Sequence, residues 1–173
     1  MIIGKPLLTE EQIRVRVHEL GNKINEDYKN KNFLAVGILK GACLFFADLI
    51  RQLNGPLSVD FIVSSSYADT MTTGKVTLHY DIREPITGRD VLLVEDIVDT
   101  GITLNYLRER ILQNRPNSLR ICVFLDKKPR RIVDVPVDYV GFDIPDEFVI
   151  GYGIDYNDQF RNLPYISTLK KAT

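Results

Sequence analysis

The sequence predicts an α/β fold, a twisted and mainly parallel sheet flanked by helices. Three observations carry that expectation. Short, branched apolar runs at 33–39, 91–94 and 119–125 read as strands buried on both faces. Segments with helical spacing stand between such runs, as parallel strands require of their connections. And residues 91–113 run without a break from strand through a tight polar loop to a helix, the βα unit of such folds. Its loop falls at the carboxyl end of a strand, where open parallel sheets bind ligands.

Taken in order, the first element is a helix. Thr9 with Gln12 three residues later forms a capping box, and Ile13, Val17, Leu20, Ile24 and Tyr28 follow on one helical face. His18 lies among charged neighbours on this helix and reads as a surface residue. Residues 33–39 are the first core strand; it breaks at Lys40-Gly41, and a second helix runs from about Leu44 to Leu53, stopped by Asn54-Gly55-Pro56. Residues 59–63 are the next strand. From Ser65 to Lys75 the chain is small, polar and aperiodic, with Tyr67 near the start; a loop this long in a compact domain suggests a functional lid. Residues 76–80 alternate as a strand, with His79 on its polar face. The strand at 91–94 ends in Glu95 and Asp96, and Leu104, Leu107 and Ile111 mark the helix of 103–113. The strand at 119–125 leads into a charged cluster, 126–131, which alone reads as a surface loop. Residues 138–142 close the main sheet. The tail beyond them is rich in aromatics without helical period, and an irregular cap is expected.

The chemistry concentrates in Glu95-Asp96-Ile97-Val98-Asp99-Thr100-Gly101-Ile102-Thr103. Backbone N–H groups of residues 100–103 open a helix and lack partners within it, so with the helix dipole they form a site for one phosphate. Gly101 allows close backbone approach, and Thr100 and Thr103 add hydroxyls. Carboxylates repel phosphate, so Glu95 and Asp96 need another target: sugar hydroxyls or a hydrated Mg²⁺. The loop is neither a Walker A sequence nor a dinucleotide fingerprint. The same residues also fit a strand ending in solvated acids, followed by an ordinary Asp/Thr helix cap. Lys40, at the end of a parallel strand, is either a solvated strand end or an anion contact.

Composition sets outer bounds. The chain has 173 residues, 45% hydrophobic and 26% charged, with a net charge of −1 from 22 basic and 23 acidic side chains. That is one domain of ordinary size, able to bury about 70% of its unfolded surface. No basic run advertises nucleic-acid binding, no apolar run approaches a membrane span, and the N-terminus lacks a signal-peptide core. Cys43 and Cys122 stand apart in apolar surroundings and are expected as reduced, buried thiols of a cytoplasmic protein.

The pattern of four apolar residues, Glu-Asp, two apolar residues, Asp-Thr-Gly, one residue and Thr resembles the signature of the phosphoribosyltransferases that bind phosphoribosyl pyrophosphate. The likeness extends along nearly the whole chain, to the hypoxanthine(-guanine) phosphoribosyltransferases of the type I phosphoribosyltransferase fold. Leu39-Lys40-Gly41 resembles their pyrophosphate loop, whose Leu–Lys bond is often cis. Ser66-Tyr67 resembles the start of their mobile lid. Lys127, Phe148-Val149, Asp155 and Arg161 resemble their purine-binding hood.

The resemblance implies a core at about 9–142 and a C-terminal hood at about 143–173, which the N-terminal arm 1–8 is a candidate to join. It implies that Glu95 and Asp96 hold the ribose hydroxyls and the Mg²⁺ shell, and that Asp99, Thr100, Gly101, Ile102 and Thr103 cradle the 5′-phosphate. Asp99 would also act as the general base at the purine N7. Lys127 would donate to the purine 6-oxo group, Phe148 would stack on the ring, and Val149 would meet the base through its backbone. Asp155 would hold a second Mg²⁺ on the pyrophosphate, and Lys40, Gly41 and Arg161 would contact that group. Ile102 occupies a variable position of the loop. The implied partners are a purine base and phosphoribosyl pyrophosphate, with no nucleic acid or membrane, and a homodimer or homotetramer.

Related readings fit less well. Adenine and orotate enzymes lack an acid where Asp99 stands, and xanthine–guanine enzymes differ from this chain across 142–157. A non-catalytic relative, binding RNA or sensing phosphoribosyl pyrophosphate, would need a basic face or an added DNA-binding segment.

Overall fold

A computed structural model of the chain describes residues 2–66 and 76–170. Among these, a six-stranded sheet carries the architecture, in the order β4-β3-β2-β5-β6-β7. Its strands are β2 (Phe33–Leu39), β3 (Leu57–Ser66), β4 (Val76–Tyr80), β5 (Asp90–Val98), β6 (Ser118–Asp126) and β7 (Tyr139–Asp143). All neighbours are parallel except β3 and β4. Three helices pack on it: α1 (Glu10–Asp27), α2 (Cys43–Ile50) and α3 (Ile102–Gln113).

Alternation along the central strands sorts the core into two layers. Phe33, Ala35, Leu92, Val94, Cys122 and Phe124 pack towards α1 and α2, whereas Leu34, Val36, Val91, Leu93, Ile121 and Val123 pack towards α3. Helix α1 starts where the sequence places it. The Thr9 hydroxyl accepts from the Gln12 N–H, and the Gln12 side chain accepts from the Thr9 N–H at 2.8 Å. Ile13, Val17, Leu20 and Ile24 are buried on its inner face.

Several expectations need correction. Ser65 and Ser66, read as the start of the polar loop, instead continue β3, where their backbone pairs in register with Thr77 and Val76 of β4. Tyr67 and the rest of the expected lid, to Lys75, lie outside the described residues. Glu95 and Asp96 stand within β5, with Glu95 paired to Val123 of β6. Neighbouring strands carry the ladder past the point where apolarity stops. Cys122 is buried as expected, but Cys43 at the start of α2 is only partly so.

The tail is also more regular than its composition suggests. β9 (Ile166–Lys170) lies between β1 (Ile2–Leu8) and β8 (Val149–Ile150) in a three-stranded antiparallel sheet. Between β8 and β9 the chain is a series of tight turns, with Tyr152, Asn157, Asp158 and Phe160 in the left-handed region.

In strand order, β3 continues on one side of β2, whereas β5, β6 and β7 continue on the other. The loops leaving β2 and β5 therefore diverge, and the crevice between their carboxyl ends is the topological switch point of the sheet.

Candidate active site

A cavity of about 520 Å³ opens at this switch point. Its first wall is the turn after β2. The Leu39–Lys40 peptide bond is cis. A side-chain carbon on Gly41 would fall 1.8 Å from Asp96 Oδ2, so glycine alone lets that carboxylate lie against the turn.

The second wall is the end of β5. Glu95 is buried, at 8% exposure, and Asp96 beside it is partly buried. Burial pushes the Glu95 carboxyl well above its ordinary range, reinforced by the neighbouring charge of Asp96. Burial raises Asp96 as well, with its hydrogen bonds and Arg161 pulling the other way. The Glu95 carboxylate accepts from the Asp96 N–H at 3.1 Å, and Asp96 accepts from the Ile97 N–H at 2.7 Å. These two acids sit together in low dielectric without a basic partner in ion-pair contact among the described residues.

The third wall is the loop 99–101 and the start of α3. Gly101 has φ +86°, and a side-chain carbon there would lie 2.3 Å from the Val133 carbonyl oxygen. No N-cap side chain closes the start of α3. The Ile102 N–H donates to the Thr100 hydroxyl in a long hydrogen bond of 3.4 Å, and Thr100, Gly101 and Thr103 line the cavity, where the start of a helix suits an anion.

The fourth wall comes from the tail and pairs its own charges. Arg161 Nη2 lies 2.7 Å from Asp155 Oδ1 and 3.1 Å from Asp158 Oδ1, and Arg161 Nη1 donates to the Gly153 carbonyl at 2.7 Å. Lys40 Nζ reaches Asp158 Oδ1 at 3.1 Å, closing the cluster onto the first wall.

Of the residues singled out in the sequence, Lys40, Gly41, Glu95, Asp96, Asp99, Thr100, Gly101, Thr103, Asp155 and Arg161 line this one cavity. Ile102 begins α3, half-buried and outside the lining. Lys127, Phe148 and Val149 are also outside it. Lys127 is only 6% exposed and makes no ion pair among the described residues. Phe148 is 51% exposed, with its ring edge-on to Tyr156 at 5.6 Å, and Val149 is buried in β8. His18 bonds Gln52 and Asn22, and His79 bonds Ser65; neither lines the cavity.

Sequence reasoning missed three groups here. Ser64 lines the cavity from β3. Asp158 holds both Lys40 and Arg161, and its spacing of three from Arg161 was the available signal. Arg130 lines the cavity with its Nε 2.8 Å from Asp99 Oδ1, hidden in the sequence among neighbouring cations.

A helix start suited to an anion beside paired acids, at the switch point of a parallel sheet, fits a class of protein that handles a phosphorylated sugar. The phosphoribosyl transferase domain model matches residues 5–157, and the chain belongs to that family. It is 50% identical over 163 residues to the hypoxanthine phosphoribosyltransferase of Salmonella typhimurium, with 92% of each chain covered. It is 44% identical over 171 residues to the hypoxanthine-guanine phosphoribosyltransferase of Bacillus subtilis, covering 98% of this chain and 95% of the relative. A crystal structure of a hypoxanthine-guanine phosphoribosyltransferase from Bacillus anthracis superposes with a TM-score of 0.93 at 45% identity. That match covers 98% of this chain and all of the other.

Proposed function

We infer that the protein transfers the 5-phosphoribosyl group of phosphoribosyl pyrophosphate to N9 of hypoxanthine, guanine or both, giving IMP or GMP and pyrophosphate in purine salvage. The observation that carries this reading is the convergence of the uncapped start of α3, the buried Glu95–Asp96 pair and Asp99 on one cavity. A phosphate, a ribose and an acid that takes a proton each find a matching group there.

The N–H groups at the start of α3 and the hydroxyls of Thr100 and Thr103 hold the 5′-phosphate. Glu95 and Asp96 accept from the ribose hydroxyls and fix the sugar ring, so that its anomeric carbon faces the purine. The bond from that carbon to the pyrophosphate oxygen breaks as the bond to N9 forms, with inversion. Asp99 takes the proton from N7. Lys127, buried and without an ion-pair partner among the described residues, donates to the 6-oxo group. Phe148 offers an exposed face for stacking, and the Val149 backbone meets the base.

The donor set fits Mg²⁺. Glu95, buried, and Asp96, partly buried, are adjacent carboxylates with their proton affinity raised. That is the arrangement for an ion that keeps its waters and shares the substrate's phosphates. Glu95 and Asp96 would hold it, and Asp155, once released from Arg161, would hold a second such ion on the pyrophosphate. Bound there, the ion would neutralise phosphate oxygens and help the leaving group depart. Lys40, the Gly41 backbone and Arg161 then take the pyrophosphate.

The family likeness further supports a cytoplasmic homodimer or homotetramer, which light scattering would distinguish from a monomer. The test of the activity is steady-state turnover with each purine base, phosphoribosyl pyrophosphate and Mg²⁺. Turnover of hypoxanthine or guanine supports the reading, and no turnover of either overturns it. Filter binding to RNA across salt concentrations checks the non-catalytic alternative, since phosphate contacts give a steep salt slope.

A further inference from the structure

The run 127–133 is a clasp between two parts of the site. On one side it is tied to the phosphate loop. Lys127 N donates to the Val98 carbonyl at 3.0 Å, and Ile132 N and Val133 N both donate to the Thr100 carbonyl, at 2.9 and 3.0 Å. The carbonyl of Val133 and the side chain of Arg131 fill the space beside Gly101 where a side-chain carbon would sit. On the other side, Lys128 pairs with Asp143 at 2.9 Å, Ile144 N donates to the Asp126 carbonyl, and Arg131 pairs with the buried Asp126.

Arg130 spans both sides. Its Nε lies 2.8 Å from Asp99 Oδ1, and its Nη1 lies 3.5 Å from Asp146 Oδ1, in the segment leading to Phe148 and Val149. The Asp99 end has an unusual geometry. The Asp99 side chain is 40% exposed, yet Oδ1 is buried without an aligned hydrogen bond. Oδ1 therefore has its charge balanced by the guanidinium while its lone pairs stay unused. The exposed carboxylate surface belongs to Oδ2, on a residue that lines the cavity.

We propose that Arg130 is a positioning residue for the reaction, holding the Asp99 carboxylate by Oδ1 so that Oδ2 faces the purine, with the longer contact to Asp146 secondary to that role. This rests on the reading of Asp99 as the general base. Both partners are substantially exposed, at 49% and 40%, so solvent screens the pair and its contribution to folding is small. Its effect appears in the rate, because a misplaced catalytic group is costly even when stability is unchanged.

The experiment combines Arg130→Ala, Arg130→Lys, Asp146→Asn, Asp99→Asn and the Asp99→Asn/Arg130→Ala double variant. Each is measured by single-turnover and steady-state kinetics with hypoxanthine, phosphoribosyl pyrophosphate and Mg²⁺. Arg130→Ala should lower the chemical step roughly 10- to 100-fold, with the KM for phosphoribosyl pyrophosphate and the melting temperature near native. Arg130→Lys should recover part of the loss, and Asp146→Asn should stay within about twofold of native. In the Asp99→Asn background Arg130→Ala should have almost no further effect, because the group it positions has gone.

An undiminished rate in Arg130→Ala overturns the proposal. So does a full additional loss in the double variant, or a loss in Asp146→Asn as large as in Arg130→Ala. If Asp99→Asn alone leaves the single-turnover rate unchanged, the general-base reading fails first. That outcome is distinct from an Asp99→Asn defect beside an intact Arg130→Ala.

Discussion

Opposite walls of the cavity handle their polar groups in different ways. On the side of β5 and α3, charged groups stand without an ion-pair partner among the described residues: the Glu95–Asp96 pair and, just beyond the lining, Lys127; the start of α3 also carries no N-cap side chain. On the tail side, Lys40, Asp158, Arg161 and Asp155 pair with one another. The β5–α3 side is ready for a ligand at the expense of the free protein, since burying unpaired charge is unfavourable. The tail side is stable as it stands and must exchange partners when phosphate arrives. Groups on the β5–α3 side should therefore control chemistry and selectivity, and those on the tail side should tune affinity.

The largest expected effect comes from Lys127. A buried donor matched to a 6-oxo group meets another donor in adenine, and such mismatches discriminate by about 10⁴-fold. Hypoxanthine should turn over and adenine hardly at all. Lys127→Ala should weaken purine binding far more than phosphoribosyl pyrophosphate binding. If Lys128→Ala impaired purine kinetics instead, the donor would be the neighbouring lysine.

Asp99→Asn comes next. It keeps the shape and removes the proton acceptor, so single-turnover rates should fall roughly 10²- to 10⁴-fold with affinity for phosphoribosyl pyrophosphate nearly constant. A change confined to KM would place Asp99 with the affinity-tuning wall and erase the contrast.

Asp158→Asn tests the self-paired wall. Releasing Lys40 and Arg161 from this exposed acid should lower the KM for phosphoribosyl pyrophosphate by about two- to fivefold, leave kcat alone and shrink with added salt. A drop in kcat would show that Asp158 does more than compete for the cations.

The smallest effect is on stability. Burial raises both carboxyls of the Glu95–Asp96 pair, so the folded protein binds protons there more tightly than the unfolded chain, which releases them above about pH 4. The pair's contribution to stability is thus fully present below that value and is lost as pH rises through its raised range. Without divalent ions, Glu95→Gln should melt roughly 2–4 °C above the native protein near pH 8, with little difference near pH 5. Parallel melting curves across that range would mean that the pair carries no unfavourable charge.

How much of this was legible in the sequence depended on whether the signal was local. β2, β5 and β6 announced themselves as branched apolar runs, and α1 by its capping box. The loop 99–103 was legible as a candidate anion site because a helix start, a glycine and flanking acids occupy consecutive positions. The last residues of β5 were hidden because a strand held by two neighbours tolerates polar ends. The strands of the tail were hidden because β8 has two residues and β9 pairs with the opposite end of the chain, where only the family resemblance pointed to the arm 1–8. Arg130 was illegible for a further reason: nothing in Lys127-Lys128-Pro129-Arg130-Arg131 tells which cation meets which carboxylate. The structure sends Lys128, Arg130 and Arg131 to different acids and leaves Lys127 unpaired among the described residues.

The stacking of Gly153 on Gly41, and of Gly41 on Asp96, bears on how this pocket could be redesigned. A side-chain carbon on Gly153 would strike the Gly41 carbonyl oxygen at 2.1 Å, as one on Gly41 would strike Asp96. The three positions form an interlocked column running from the tail to the central strand, so no single substitution explores new shape there. A library randomised at either glycine alone should return almost only the parent residue, and enlarged or altered leaving groups would have to be sought through the exposed rim, at Asp158 and Lys40, where side chains can change one at a time.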